Sequence, residues 1–203
     1  MVEISESNKA DCCGCTACAN ICPKNAITIK EDIEGFLYPT VDKEKCIDCD
    51  LCKKVCPILN KKAQNENIKD AYVIRVKDEN VLQTSTSGGF FTPLATKVLN
   101  KNGIIIGVGY GKDWRVEHLI VTKENENILE QLRGSKYVQS YLGNIFSKIK
   151  NWLNENKIVL FSGTPCQVYG LLNFLGKDYK NLITIDFVCH GVPSPKLWTK
   201  YVN

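Results

Sequence analysis

No stretch of this 203-residue sequence approaches the roughly 18 consecutive apolar residues of a membrane span, and its opening Met1-Val-Glu-Ile-Ser-Glu lacks the basic segment and apolar stretch of an export signal. The sequence therefore reads as cytoplasmic and without a membrane span. Low-complexity tracts are absent. Lysines are scattered rather than striped and accompany no recognition motif, so nucleic-acid binding gains no support. Histidine is scarce, with only His118 and His190. No Ser/His/Asp set and no carboxylate pair forms a persuasive constellation, so no catalytic residue is singled out.

Cysteine, by contrast, is abundant. Of eleven, eight fall in two copies of C-x-x-C-x-x-C-x-x-x-C-P: Cys12, Cys15, Cys18, Cys22 with Pro23, and Cys46, Cys49, Cys52, Cys56 with Pro57. Each member of the second copy lies 34 residues after its counterpart, the mark of an internal duplication. Three thiolates spaced by two residues can curl round one cube of iron and sulfide, and the fourth, carried past a short helix, points to a second. In two-cluster ferredoxins the last cysteine of each run serves the other cluster. The expectation is one 4Fe-4S cluster on Cys12, Cys15, Cys18 and Cys56, and another on Cys46, Cys49, Cys52 and Cys22. Pro23 and Pro57 fix φ and offer no amide donor, which stops each short helix just after its last ligand. A structural zinc site wants ligands in separated pairs and a disulfide framework wants an exported chain, and neither description fits. Cys13, whose counterpart is Ile47, breaks the repeat and reads as a bystander thiol. The formal charge of +4 counts cysteines as neutral; ligating thiolates and oxidised cores bring the loaded protein near zero.

The length suits a ferredoxin-sized unit plus one domain of ordinary size, about 100 to 150 residues. The first unit is expected over 1–59, with short helices at Thr16 to Ile21 and Asp50 to Val55 and strands at Ala26 to Lys30 and Leu37 to Val41. Residues 60–69 are polar, lack an apolar period and read as a linker. Over 70–203 strand and helix patterns alternate, the signature of an α/β domain. Strands are expected at Ala71 to Val76, Ile104 to Tyr110, Val116 to Thr122, Ile158 to Phe161 and Leu182 to Val188. Helices are expected at Phe90 to Asn100, Glu126 to Leu132, Asn144 to Asn156, Pro165 to Leu175 and Pro195 to Val202.

Three loops of the second region carry small residues ahead of a helix or turn. In Thr86-Ser87-Gly88-Gly89, Ser87 can cap and the glycines let a ligand approach helix amides that favour an anion. Gly134-Ser135-Lys136-Tyr137 joins a flexible turn to a cation and an aromatic. In Ser162-Gly163-Thr164-Pro165-Cys166-Gln167, Thr164 suits the N-cap, Pro165 the first helical position, and Cys166 the first turn, where amides favour a thiolate. Cys189, followed by His190 and Gly191, ends the next strand in a similar place. A buried structural cysteine is the ordinary reading of either thiol alone. Gly107-Val-Gly109-Tyr-Gly111 imitates part of a dinucleotide fingerprint, but the chain runs on into another strand, not a helix.

In this order the motifs resemble the beta subunits of coenzyme F-420 hydrogenases and dehydrogenases, with their ferredoxin-fused relatives. The resemblance rests on the twin cysteine runs followed by Ser87-Gly88-Gly89, Gly134-Ser135-Lys136-Tyr137, Gly163-Thr164-Pro165-Cys166-Gln167 and Cys189-His190-Gly191, and covers nearly the whole chain. It implies an α+β two-cluster ferredoxin-like domain followed by an α/β flavin-binding domain that is not the usual dinucleotide fold. Two 4Fe-4S clusters would exchange electrons with FAD, and FAD with a deazaflavin coenzyme or another substrate. Ser87, Gly88, Gly89, Ser135 and Lys136 match positions that would line the flavin, with Thr164 beside them. Cys166 and Cys189 match cysteines expected to serve a third 4Fe-4S cluster in some members. Members usually run longer, so the second domain is expected to be incomplete at its C-terminus. The implied partner is a redox protein or soluble electron carrier. The competing expectation is an electron-transfer module that docks on a partner enzyme and has no reaction of its own.

Overall fold

The structure, a computed structural model, describes residues 9–60 and 70–203; residues 1–8 of the expected first unit and residues 61–69 of the expected linker lie outside the described residues. The cysteine-rich unit contains α1 (Ala17–Ile21), β1 (Ile27–Glu31), β2 (Leu37–Val41) and α2 (Leu51–Val55), with β1 and β2 forming an antiparallel ribbon. The duplication is visible in the backbone. Gly14 and Asp48 have φ of 64° and 48°, and Thr16 and Asp50 have φ of 63° and 56°. Paired left-handed residues coil each cysteine run back on itself before its helix begins. Both helices stop alike, at Cys22 and Cys56 in extended conformation ahead of Pro23 and Pro57.

The second region is built on a four-stranded sheet of order β4-β3-β5-β6. Here β3 is Ile104–Tyr110, β4 Val116–Val121, β5 Val159–Ser162 and β6 Leu182–Ile185. β4 runs antiparallel to β3, and β3, β5 and β6 are parallel. Helices α4 (Phe91–Leu99), α5 (Ile145–Asn154), α6 (Pro165–Leu175) and α7 (Pro195–Val202) surround it, after a short α3 (Glu79–Gln83). Side chains alternate across a strand, and the two faces of the sheet fill two cores. Ile105, Leu160 and Val121 pack with Ala95 and Val98 of α4. Ile104, Ile106, Val159 and Phe161 pack with α5, α6 and, from the cysteine-rich unit, Cys15, Ala17 and Val55. That unit is thus a layer of the larger core.

Side-chain bonds stitch the junction. Gln139 Oε1 accepts from Leu37 N at 2.8 Å, and Lys196 Nζ donates to Ile33 O at 2.9 Å.

Several expectations are corrected. Ala71 to Val76 is not a strand: Val76 N–H bonds to Gly88 O at 2.7 Å, no ladder forms among the described residues, and Tyr72 and Val73 face solvent. An apolar alternation without a partner strand leaves backbone groups to water. Glu126 to Leu132 lies in a 3-10 segment, Lys123–Leu132, entered through a capping box on Thr122 and Asn125. Leu182 to Val188 is strand only to Ile185, and residues 186–191 are exposed. The short α3, capped by Asp78 Oδ1 on Asn80 N at 2.9 Å, has no counterpart among the expected helices. Among the described residues no helix is long and apolar enough to cross a membrane.

Candidate functional site

The eight motif cysteines fall into two neighbourhoods, each drawing on both runs. One cavity, with an empty volume of about 370 Å³, is lined by Cys22 together with Cys46, Cys49 and Cys52, and by apolar Ala26, Ile27, Val41 and Leu51. Cys22 Sγ accepts the Ala26 amide at 3.3 Å, the kind of donor that stabilises negative charge on sulfur. In the other neighbourhood, Cys18 feels the charges of Cys12 and Cys56, and Cys12 those of Cys56 and Cys166; the two neighbourhoods meet where Cys18 packs with Cys52 and feels its charge as well. Cys15 and Cys18 are buried. Burial, helped by this crowding, pushes the Cys18 thiol up to about 12 and raises Cys12 as well. Crowded, buried thiols of this kind ionise when a cationic core compensates them. An iron–sulfur core fits that requirement around Cys12 and Cys18, and the amide aimed at Cys22 Sγ suits one in the cavity. Among the described residues, no three His, Cys, Asp or Glu side chains converge on one point as ligands of a single ion would.

Cys13 and Cys166 are brought together across the junction. Cys166 Sγ lies 4.0 Å from Cys13 O and 3.1 Å from Thr164 Oγ1. The Cys13 thiol is pushed up to about 12 chiefly by its hydrogen bond with Cys15, and the hydrogen bond with Cys13, with burial, raises Cys166. No local sequence signal points to this contact. Cys189 stands apart, exposed beyond β6, its thiol 3.9 Å from Gly191 O.

Of the residues matched to a flavin site, Lys136 lines a cavity. That cavity, of about 810 Å³ empty volume, sits at the carboxyl end of β3, between Tyr110, Trp114, Arg133 and Lys136. Tyr110 meets Trp114 edge-on and stacks on Trp198 of α7, both at 5.8 Å between centroids. Lys136 Nζ donates to Gln131 O and Arg133 O, each at 2.7 Å, and stands 5.7 Å from the Tyr110 ring centre. Burial pushes its ammonium down to about 8. Ser135 is exposed. Gly88 and Gly89 press on residues 74–76, where a Cβ on Gly89 would meet Val76 Cγ1 at 2.7 Å. Phe90, not Ser87, occupies the N-cap of α4. Arg133, which sequence reasoning missed, ties these parts together: Nη1 donates to Thr84 Oγ1 at 3.0 Å and Nε to Thr92 Oγ1 at 3.2 Å. Thr164 caps α6 reciprocally with Gln167.

Residues 11–59 match the 4Fe-4S dicluster domain family. A component of the F(420)H(2) dehydrogenase of Methanosarcina mazei is 23% identical over 169 residues, which cover 78% of this chain and 46% of that protein. An uncharacterized protein of Methanocaldococcus jannaschii is 25% identical over 87% of this chain and 55% of its own length. A ferredoxin of the same organism is 46% identical over 46 residues. The chain spans about half the length of the first two relatives. The chain thus carries a 4Fe-4S dicluster domain over residues 11–59 and is similar over most of its length to a component of an F(420)H(2) dehydrogenase.

Proposed function

We propose that the chain is an iron–sulfur flavoprotein oxidoreductase, in which two 4Fe-4S clusters serve an FAD held by the α/β region and the flavin exchanges hydride with a deazaflavin coenzyme. Bound iron–sulfur clusters supply one-electron steps, and a flavin stores two electrons and releases them as hydride. The residues Cys12, Cys15, Cys18 and Cys56 would hold one cluster and Cys22, Cys46, Cys49 and Cys52 the other; the cavity shared by the second set supports the crossed assignment. Cys166 and Cys189, near the carboxyl ends of adjacent parallel strands, would supply two ligands of a third.

The observation that carries the flavin reading is the cavity of Tyr110, Trp114, Arg133 and Lys136. The part of it that water-sized molecules can occupy, about 460 Å³, lies in the usual range for small-molecule sites, about 300 to 1,000 Å³. Aromatic faces suit a planar ring system; of the charged groups in the lining, Arg133 pairs with Glu130 at 3.6 Å and Asp113 adds a second carboxylate, which leaves Lys136 as the cation for an anionic group. Lys136 would hold such a group by its remaining proton, and Arg133 would fix the loop carrying Ser87, Gly88 and Gly89 against it.

The test is iron, acid-labile sulfide and flavin per chain after anaerobic purification, then turnover with an artificial electron donor and deazaflavin or quinone acceptors. About eight irons, at four per cluster, with one FAD is the expected result, and about twelve would add the third cluster. A second reading, an electron-transfer module that docks on a partner enzyme, is favoured by exposed Phe187 and Val188 beside Cys189. Eight irons with no flavin after reconstitution would select it.

A further inference from the structure

The two cysteine sets, identical in motif, differ in surroundings. Helix α6 lies against one of them. A Cβ on Gly170 would stand 2.9 Å from Cys15 Sγ, and 3.0 Å from its Cβ, so the helix backbone touches the cysteine with no side chain between. One turn earlier, on the same face of the helix, Cys166 contacts Cys13 and feels Cys12. Cys15 is 7% exposed in consequence, and packs in the same core as Val168 and Leu171 of α6. The other set reaches the surface at one corner, although its Cys52 is buried. Cys49 is exposed, its neighbour Ile47 is 56% exposed, and Asp48 stands beside them in solvent.

Building on the cluster reading above, we propose that the sets are an inner and an outer site in fixed order. Cys12, Cys15, Cys18 and Cys56 form the inner site, seated on α6 with Gly170 as its positioning residue and forming the redox contact with the α/β region. Cys22, Cys46, Cys49 and Cys52 form the outer site, open to solvent at Cys49 and so the one within reach of an external one-electron donor or acceptor. Gly170 fits this role because close backbone approach to a cluster ligand admits no larger residue. A seat on α6 also places the inner site by the helix's N-terminal turn, whose amides favour negative charge.

The test uses the anaerobically reconstituted protein, reduced one electron at a time and followed by electron paramagnetic resonance. Cys18→Ser marks the signal of the inner site and Cys49→Ser that of the outer. A soluble dysprosium chelate should speed relaxation of the outer signal several-fold more than that of the inner. Equal enhancement of both, or greater enhancement of the inner, would overturn the order. Gly170→Ala should then alter the line shape or iron content of the inner site alone. A change in both sites, or in neither, would remove Gly170 from this role. Fewer than about eight irons in the reconstituted wild-type chain, at four per cluster, would strike instead at the cluster reading itself.

Discussion

The side-chain amide of Asn20, in the first cysteine run, donates to Gly143 O at 2.9 Å while its oxygen accepts from Ser147 N at 3.3 Å. One residue of α1 thereby closes the turn before α5 and satisfies an amide in its first turn. Asn20→Ala leaves a partly buried carbonyl and amide without partners, which costs about 1 to 3 kcal/mol. The expected outcome is faster bleaching of the iron–sulfur absorbance in urea, with α/β tryptophan fluorescence changing at lower urea than in the wild type. Unchanged bleaching would show that this junction does not support the cysteine-rich unit.

The lining of one cavity by Cys22 with Cys46, Cys49 and Cys52 makes a definite claim about connectivity. Cys22→Ala should remove or convert the cluster of the second run, with loss of up to about four irons, and leave the other intact. Loss confined to the cluster marked by Cys12 or Cys15 variants would refute the crossing.

Much of this architecture is legible in the sequence because it rests on local rules. The twin motif declares its repeat, and Thr164 with Pro165 fixes the start of α6 at the expected residue. Helix α7 likewise spans Pro195–Val202 as expected, with Ser194 Oγ accepting from Leu197 N. What sequence reasoning missed depends on pairing between distant segments. Ala71 to Val76 has a strand's composition but, among the described residues, no neighbour to complete a ladder. Cys13 reads as idle beside its ligands because nothing local reports that Cys166 lies across the junction, and Arg133 gains its role only once Thr84 and Thr92 fold beside it.

His118 on β4 is buried and stacks on Phe161 at 5.4 Å, nearly coplanar. Burial pushes its imidazolium down to about 4 from an ordinary 6.5. Between those values the unfolded chain binds a proton that the folded chain refuses, so stability falls as pH is lowered through the window and is flat above it. From pH 7 to 5.5 the loss should be about 1 kcal/mol. His118→Leu should remove that slope from thermal melts compared at the two pH values. A variant that keeps the full wild-type slope would place the titration on another group.

Lys136 allows a test of ligand binding with its own pH signature. The ammonium is pushed down to about 8 by burial, and two of its protons are committed to Gln131 O and Arg133 O. Below about pH 8 the cation is present and can attract an anionic group in the cavity. As pH rises past that value the charge is lost, and affinity for FAD should fall. A charge-assisted hydrogen bond contributes about 1.5 to 3 kcal/mol, so Lys136→Met should weaken FAD binding roughly tenfold to a hundredfold. Equilibrium titration of the deflavinated protein by flavin fluorescence, from about pH 7 to about pH 9 to bracket an amine lowered from its usual value, separates the two effects. The wild type should lose affinity across that range, and the methionine variant should start weak and stay level. A variant that retains both the affinity and its pH dependence would move the anion contact away from Lys136, leaving Arg133 as the cation at that site.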